Sequence, residues 1–142
     1  MQNAIALIYT KGFMEQKSLD VLVVDDEEDV QWLFKQQFRR EIRSGKVAFH
    51  FALSGEEALN FMREGGGAHV VLVFSDINMP GMTGLELLKN LRNEYKDLPV
   101  HMITAYGDEV NYQTAMDYGA AGYMTKPIDF SQLKSTVQSF LN

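Results

Sequence analysis

The chain has 142 residues, no cysteine, 46% apolar and 23% charged residues, and a formal charge of −6. That length supplies one good hydrophobic core, and no apolar run approaches the roughly 18 residues a membrane span needs. The acidic balance argues against a phosphate-backbone binder, and the absence of cysteine excludes disulfides and thiolate metal sites.

Residues 1–18, MQNAIALIYTKGFMEQKS, lack the basic start and apolar length of a secretory signal, so they read as an extension of unknown role on a cytoplasmic protein. Within them Ile5, Leu7, Ile8, Phe13 and Met14 would pack on the domain or pair two chains. From Leu19 onward, apolar strand-like runs alternate five times with helical patterns, the signature of βαβ units. The first run, Leu19 to Val24, ends in Asp25-Asp26, and a helix is predicted from about Glu28 to Ile42, with Val30, Leu33, Phe34, Phe38 and Ile42 on one stripe. Trp32 falls nearly opposite that stripe and should face solvent at least in part. Ser44-Gly45-Lys46 separates this helix from a strand over Val47 to Leu53. Ser54 and Glu57 then have capping-box spacing ahead of a helix through Phe61 and Met62, which Gly65-Gly66-Gly67 ends.

Val70 to Phe74 is continuously apolar and β-branched or aromatic, as suits a central parallel strand covered on both faces. It delivers Ser75 and Asp76 to its carboxyl end, after which Pro80, Gly81 and Gly84 turn the chain into a helix bearing Leu85, Leu87, Leu88 and Leu91. Pro99 opens a strand over Val100 to Thr104, a helix follows over about Asp108 to Tyr118, and a short strand spans Tyr123 to Thr125. Lys126-Pro127 leads to a last helix beginning near Asp129.

Right-handed crossovers then give a doubly wound, flavodoxin-like α/β fold, with five helices about a five-stranded parallel sheet of order 2-1-3-4-5. Ligands in such sheets bind at the carboxyl ends of the strands, and the polar residues left there are Asp25, Asp26, Asp76, Thr104 and Lys126. Each of them alone has an ordinary structural reading, such as a solvated helix start or an Asx turn, but four strands here contribute to one rim.

The acidic pair Asp25-Asp26, Asp76 within DINMPGMTG, Thr104-Ala105 and Lys126-Pro127, in this order and spacing, resemble the response-regulator receiver domain of two-component signalling, over about residues 19–142. The resemblance implies a phosphorylation-activated switch, not a turnover enzyme. Asp76 would accept a phosphoryl group from a histidine kinase or phosphotransfer protein, Asp25 and Asp26 would help hold Mg²⁺, and Thr104 and Lys126 would contact the phosphoryl oxygens. Tyr123 matches the family's switch aromatic. The elementary chemistry agrees, because clustered carboxylates repel one another unless a hard cation binds them, and Mg²⁺ prefers such oxygens together with water and phosphate. The backbone carbonyl of Asn78 would complete the metal shell, and Met79 and Met82 would line the mouth of the site. Asn78 and Tyr106 border the path of an attacking water, and the Tyr106 ring should lengthen the life of the phosphate. His50, His69 and His101 lack ligand spacing and read as structural.

A haloacid-dehalogenase-type aspartyl-phosphate hydrolase would use similar residues, but it carries DxDxT after the first strand, where this chain has DDEED. A flavin carrier of the same fold would place hydroxyl and amide donors in that loop. The expected output surface comprises the helix near 108–118, the strand 123–125 and the last helix, acting on a downstream protein or in a homodimer. Neither direct nucleic-acid contact nor membrane attachment is expected, and the chain reads as a stand-alone receiver acting by contact, the favoured alternative, or as a fragment of a longer regulator.

Overall fold

The computed structural model describes residues 18–105 and 110–141. Five parallel strands, β1 (Leu19–Val24), β2 (Val47–Ala52), β3 (Val70–Asp76), β4 (Val100–Thr104) and β5 (Gly122–Thr125), form one sheet in the order β2-β1-β3-β4-β5. This is the expected topology. The described helices are α1 (Glu28–Gln37), α2 (Arg39–Arg43), α3 (Gly55–Arg63), α4 (Gly84–Glu94), α5 (Val110–Asp117) and α6 (Phe130–Gln138). They number six where five were expected, because the first predicted helix is interrupted at Phe38, whose backbone leaves the helical region (φ −106°, ψ 22°).

The sheet is buried on both faces, which is why β1 and β3 are apolar without alternation. Val21 and Val23 of β1 and Leu72 and Phe74 of β3 join Val30, Phe34 and Phe38 of α1–α2 and Leu133 and Val137 of α6 in one core cluster. Leu22, Val24 and Val73 point the other way, toward Leu59 and Met62 of α3, Leu87, Leu88 and Leu91 of α4 and Ala115 of α5. Phe34 is the hub of the first cluster, with ring centroids of Phe49, Phe51, Phe74 and Phe130 between 5.3 and 6.3 Å away. The break at Phe38 coincides with its fully buried ring lying 4.9 Å from that of Phe49. The predicted stripe fails in part: Leu33, before that break, and Ile42, beyond it, stay about a third exposed.

Local signals set the helix starts. Ser54 Oγ accepts from the Glu57 backbone N–H (3.0 Å) at the head of α3 as its spacing predicted, although the Glu57 carboxylate reaches the N–H of Leu53, one residue earlier than a capping box requires. The complete box is at α4, where Thr83 and Glu86 each accept from the other's backbone N–H. At α6, Asp129 Oδ1 accepts from Ser131 and Gln132.

Candidate functional site

Four strand ends build the site. β1 carries Asp25 just past Val24, with the Asp25 N–H bonded to the Ala52 carbonyl (3.1 Å). β3 continues two residues past its apolar run to include Asp76, which lies opposite Ile103 of β4. On β4 and β5, Thr104 pairs in register with Thr125, and the next residue, Lys126, donates its backbone N–H to the Thr104 carbonyl (2.7 Å). The rim inferred from the sequence is thus assembled by ordinary parallel pairing.

The Lys126 ammonium sits between the two buried carboxylates, 3.0 Å from Asp25 Oδ2 and 3.2 Å from Asp76 Oδ2. Asp25 and Asp76 are each only 5% exposed. Asp25 Oδ1 accepts the Glu27 backbone N–H (2.9 Å), which fixes the carboxylate plane and leaves Oδ2 for the lysine. Asp26 is exposed beside them, and one oxygen from each of Asp25, Asp26 and Asp76 lies within 4.8 Å of the others. Burial, and next the negative charge of Asp25, raise the Asp76 carboxyl above the ordinary carboxylate range, while Lys126 opposes the rise. For Lys126, burial disfavours the charged form, but hydrogen bonds and attraction from Asp25 and Asp76 outweigh it and raise its pKa. A positive charge is therefore held against both acids.

The donor set fits a small divalent cation such as Mg²⁺. All three side chains offer hard carboxylate oxygens, their spacing allows one ion to meet one oxygen of each, and the exposure of Asp26 leaves the outer side open to water. No histidine belongs to the cluster. His50 bonds Asp20 (2.8 Å), His101 packs on Phe74 and His69 is exposed, in keeping with structural roles.

Other expected participants are placed as follows. Thr104 is fully buried on β4, and Asn78 is exposed two residues beyond Asp76. Tyr123 is half-buried and edge-on to Tyr112 (centroids 5.1 Å apart). Met79 is buried in the core, and Met82 is half-buried and packs against it beside Gly55. Trp32 is 60% exposed on α1, as its position on the helical wheel indicated. Tyr106 and residues 1–17 lie outside the described residues.

Three supporting residues escaped the sequence reading. Glu27 Oε1 lies 3.6 Å from the Lys126 ammonium and adds a third carboxylate to its surroundings. Glu56, at the start of α3, accepts the Met82 N–H (3.1 Å) and so ties down the loop after Asp76. Gly84 lies against the Asp76 backbone, where any side chain would collide. The closeness of Glu27 to Asp25-Asp26 was a signal for the first; the other two depend on contacts between segments distant in sequence or on close backbone approach.

Comparison with known proteins places these features in context. A family model for the response regulator receiver domain matches residues 21–138. The transcriptional regulatory protein SrrA of Staphylococcus aureus is 32% identical over 124 residues, which are 87% of this chain and 48% of SrrA. The chain thus spans about half the length of the curated relatives it matches. Among solved structures, the response regulator TrrA of Thermotoga maritima, crystallised in complex with Mg²⁺-BeF, superposes with a TM-score of 0.72 at 32% identity, covering 87% of this chain and 99% of that one. The chemotaxis protein CheY4 of Vibrio cholerae gives 0.73 at 29% identity, covering 86% and 98%.

Proposed function

The chain belongs to the response-regulator receiver domain family of two-component systems, and from that premise we propose that it is a switch set by phosphorylation of Asp76. The observation that carries this reading is the Lys126 ammonium shared by Asp25 and Asp76 at the carboxyl edge of the sheet. Phosphoryl transfer asks the protein for alignment and charge neutralisation more than for covalent help, and this site is built for both.

In the proposed step, an Asp76 carboxylate oxygen attacks the phosphorus of a phosphohistidine on a histidine kinase or phosphotransfer protein. An O–P bond forms, the N–P bond breaks, and its electron pair stays on the imidazole, which takes up a proton. Asp25, Asp26 and Asp76, with the Asn78 carbonyl, would hold Mg²⁺, which when bound neutralises phosphoryl oxygens. Lys126 can turn from its two carboxylates to a phosphoryl oxygen, and the Thr104 hydroxyl supplies a second donor. Exposed Trp32 on α1 offers an aromatic contact to the donor protein.

Drawing Thr104 toward the new phosphoryl oxygens would displace the end of β4 and with it α5, changing the edge-on contact of Tyr123 with Tyr112. The surface of α5, β5 and α6, where Tyr112, Met116 and Tyr118 are exposed, is the proposed output face toward a protein target or a second copy. Among the described residues no helix is long and apolar enough to cross a membrane; the acidic composition favours a protein partner over direct nucleic-acid contact, and a cytoplasmic setting suits a kinase-fed switch.

The reading is tested by incubating the protein with acetyl phosphate and Mg²⁺. One hydroxylamine-labile phosphoryl group should appear in the intact mass, and EDTA or Asp76→Asn should prevent it. Undiminished labelling of Asp76→Asn rejects Asp76 as acceptor.

A further inference from the structure

The acidic chain carries a local reversal of charge. Residues 35–46 contain five cations, Lys35, Arg39, Arg40, Arg43 and Lys46, against the single carboxylate of Glu41, in a protein of net charge −6. Lys35 of α1 and Arg39 and Arg43 of α2 face one cavity across the break at Phe38, so they form one cationic wall. Across from that wall stand Phe49 and Phe51, two apart and therefore on the same face of β2, the outermost strand on that side of the sheet. These five residues and Ile42 line a cavity of about 400 Å³, within the range of small-molecule sites. None of them belongs to the acidic cluster.

The walls differ in chemistry. One is aromatic and aliphatic, with both phenylalanines and Ile42 left partly exposed. The other is cationic, and among the described residues none of Lys35, Arg39 and Arg43 forms an ion pair within 4.0 Å. The Lys35 ammonium instead lies 5.5 Å from the centroid of the Phe51 ring, a cation–π contact that joins the two walls. Two arginines whose guanidinium groups match planar or tetrahedral oxyanions, beside an apolar floor, suit a ligand with an anionic head on an apolar body.

We propose that this groove between α1–α2 and the edge strand β2 is a second binding site, for a small aromatic or aliphatic molecule bearing a carboxylate or phosphate. The apolar body would lie on Phe49, Phe51 and Ile42, and the head would engage Arg39 and Arg43. The site would let a soluble anionic ligand bind independently of the carboxyl edge of the sheet.

The test is amide chemical-shift mapping of the full chain with four probes: naphthoate, naphthyl phosphate, inorganic phosphate and naphthalenemethanol. At least one of the first two should give saturable shifts centred on residues 35–51, and the tighter of them assigns the head group. Arg39→Gln with Arg43→Gln should weaken that probe about tenfold, since both arginines are exposed and their loss leaves the core intact. Lys35→Gln should weaken it by a smaller factor. Any of these results would overturn the proposal: no saturable shifts with either charged aromatic, unchanged affinity in the double variant, inorganic phosphate or naphthalenemethanol binding as tightly as the charged aromatics, or shifts centred elsewhere. Shifts at residues 35–51 that grow with protein concentration without any probe would make the groove a contact between copies and also overturn it.

Discussion

Gly84, the first residue of α4, lies so close to the backbone carbonyl of Asp76 that a methyl group placed on it would overlap the Asp76 oxygen. The Gly84 N–H also donates to the Ile77 carbonyl (2.8 Å), so the helix start and the strand end are joined at this point. Two principles then give opposite signs for Gly84→Ala. Reduced freedom of the unfolded chain would stabilise by about 0.4–1 kcal/mol, whereas overpacking against backbone costs about 1–3 kcal/mol. The overlap is with backbone atoms that cannot rotate away, so we expect net destabilisation, read as a lower Tm, with slower phosphorylation of Asp76 because its carboxylate is displaced. An unchanged or raised Tm would show that the backbone yields easily.

Stability should depend on pH through Asp76. Its carboxyl is raised, first by burial and then by Asp25, so the folded state holds that proton more tightly than the unfolded state does. The contribution of this group is fully present below the unfolded carboxylate value and is lost as pH rises through the raised folded value. At neutral pH the charged carboxylate therefore works against folding, and Asp76→Asn should have a higher Tm than the parent at pH 7, with the gap closing in acid. Denaturation curves from pH 3 to 8 without divalent ions check this, and a gap that widens in acid would contradict it.

Lys126 acts in the opposite sense. With its pKa raised above the ordinary lysine value, its contribution is present at neutral pH and is lost only as pH climbs through that raised value. Lys126→Met leaves Asp25 and Asp76 facing each other without a cation, at a cost of about 1–3 kcal/mol at pH 7. The loss should shrink in acid as the carboxylates protonate. A pH-independent difference would mean that the lysine stem, not its charge, matters.

The topology was legible because a sheet covered on both faces writes itself as unbroken apolar runs such as Val70–Phe74, each ending in a polar residue. Asp25, Asp76, Thr104 and Lys126 could be read as one rim because parallel strands put all their carboxyl ends on the same edge. The pairing of Glu56 with the Met82 N–H could not be read, because 26 residues separate the partners and one starts a helix while the other lies in a distant loop. Gly84 looked like a turn glycine, since sequence shows that a residue is small and not what it must avoid. Nothing in the sequence marks Arg92, whose guanidinium donates to the carbonyls of Tyr95, Lys96 and Leu98 and holds the turn before β4. The interruption at Phe38 was hidden because its ring obeys the helical stripe while its backbone does not.

The switch can be tested separately from acceptor chemistry. Moving a two-state equilibrium from 1:99 to 99:1 takes about 5.5 kcal/mol, within reach of charge-assisted contacts from Thr104 and Lys126. With Mg²⁺ and beryllium fluoride, the Tyr112 and Tyr123 ring signals and amide exchange in α5 should change, and Thr104→Ala should blunt both responses. Equal responses in the variant would remove Thr104 from the coupling.

The central assignment is of one atom group, and the most direct measurement locates the phosphoryl bond itself. Phosphorylated protein is reduced with borohydride, which converts an acyl phosphate on aspartate to homoserine, and the digest is sequenced by tandem mass spectrometry. The geometry at the carboxyl edge predicts homoserine at position 76 alone. Homoserine at Asp25 or Asp26, with Asp76 unmodified, would contradict it.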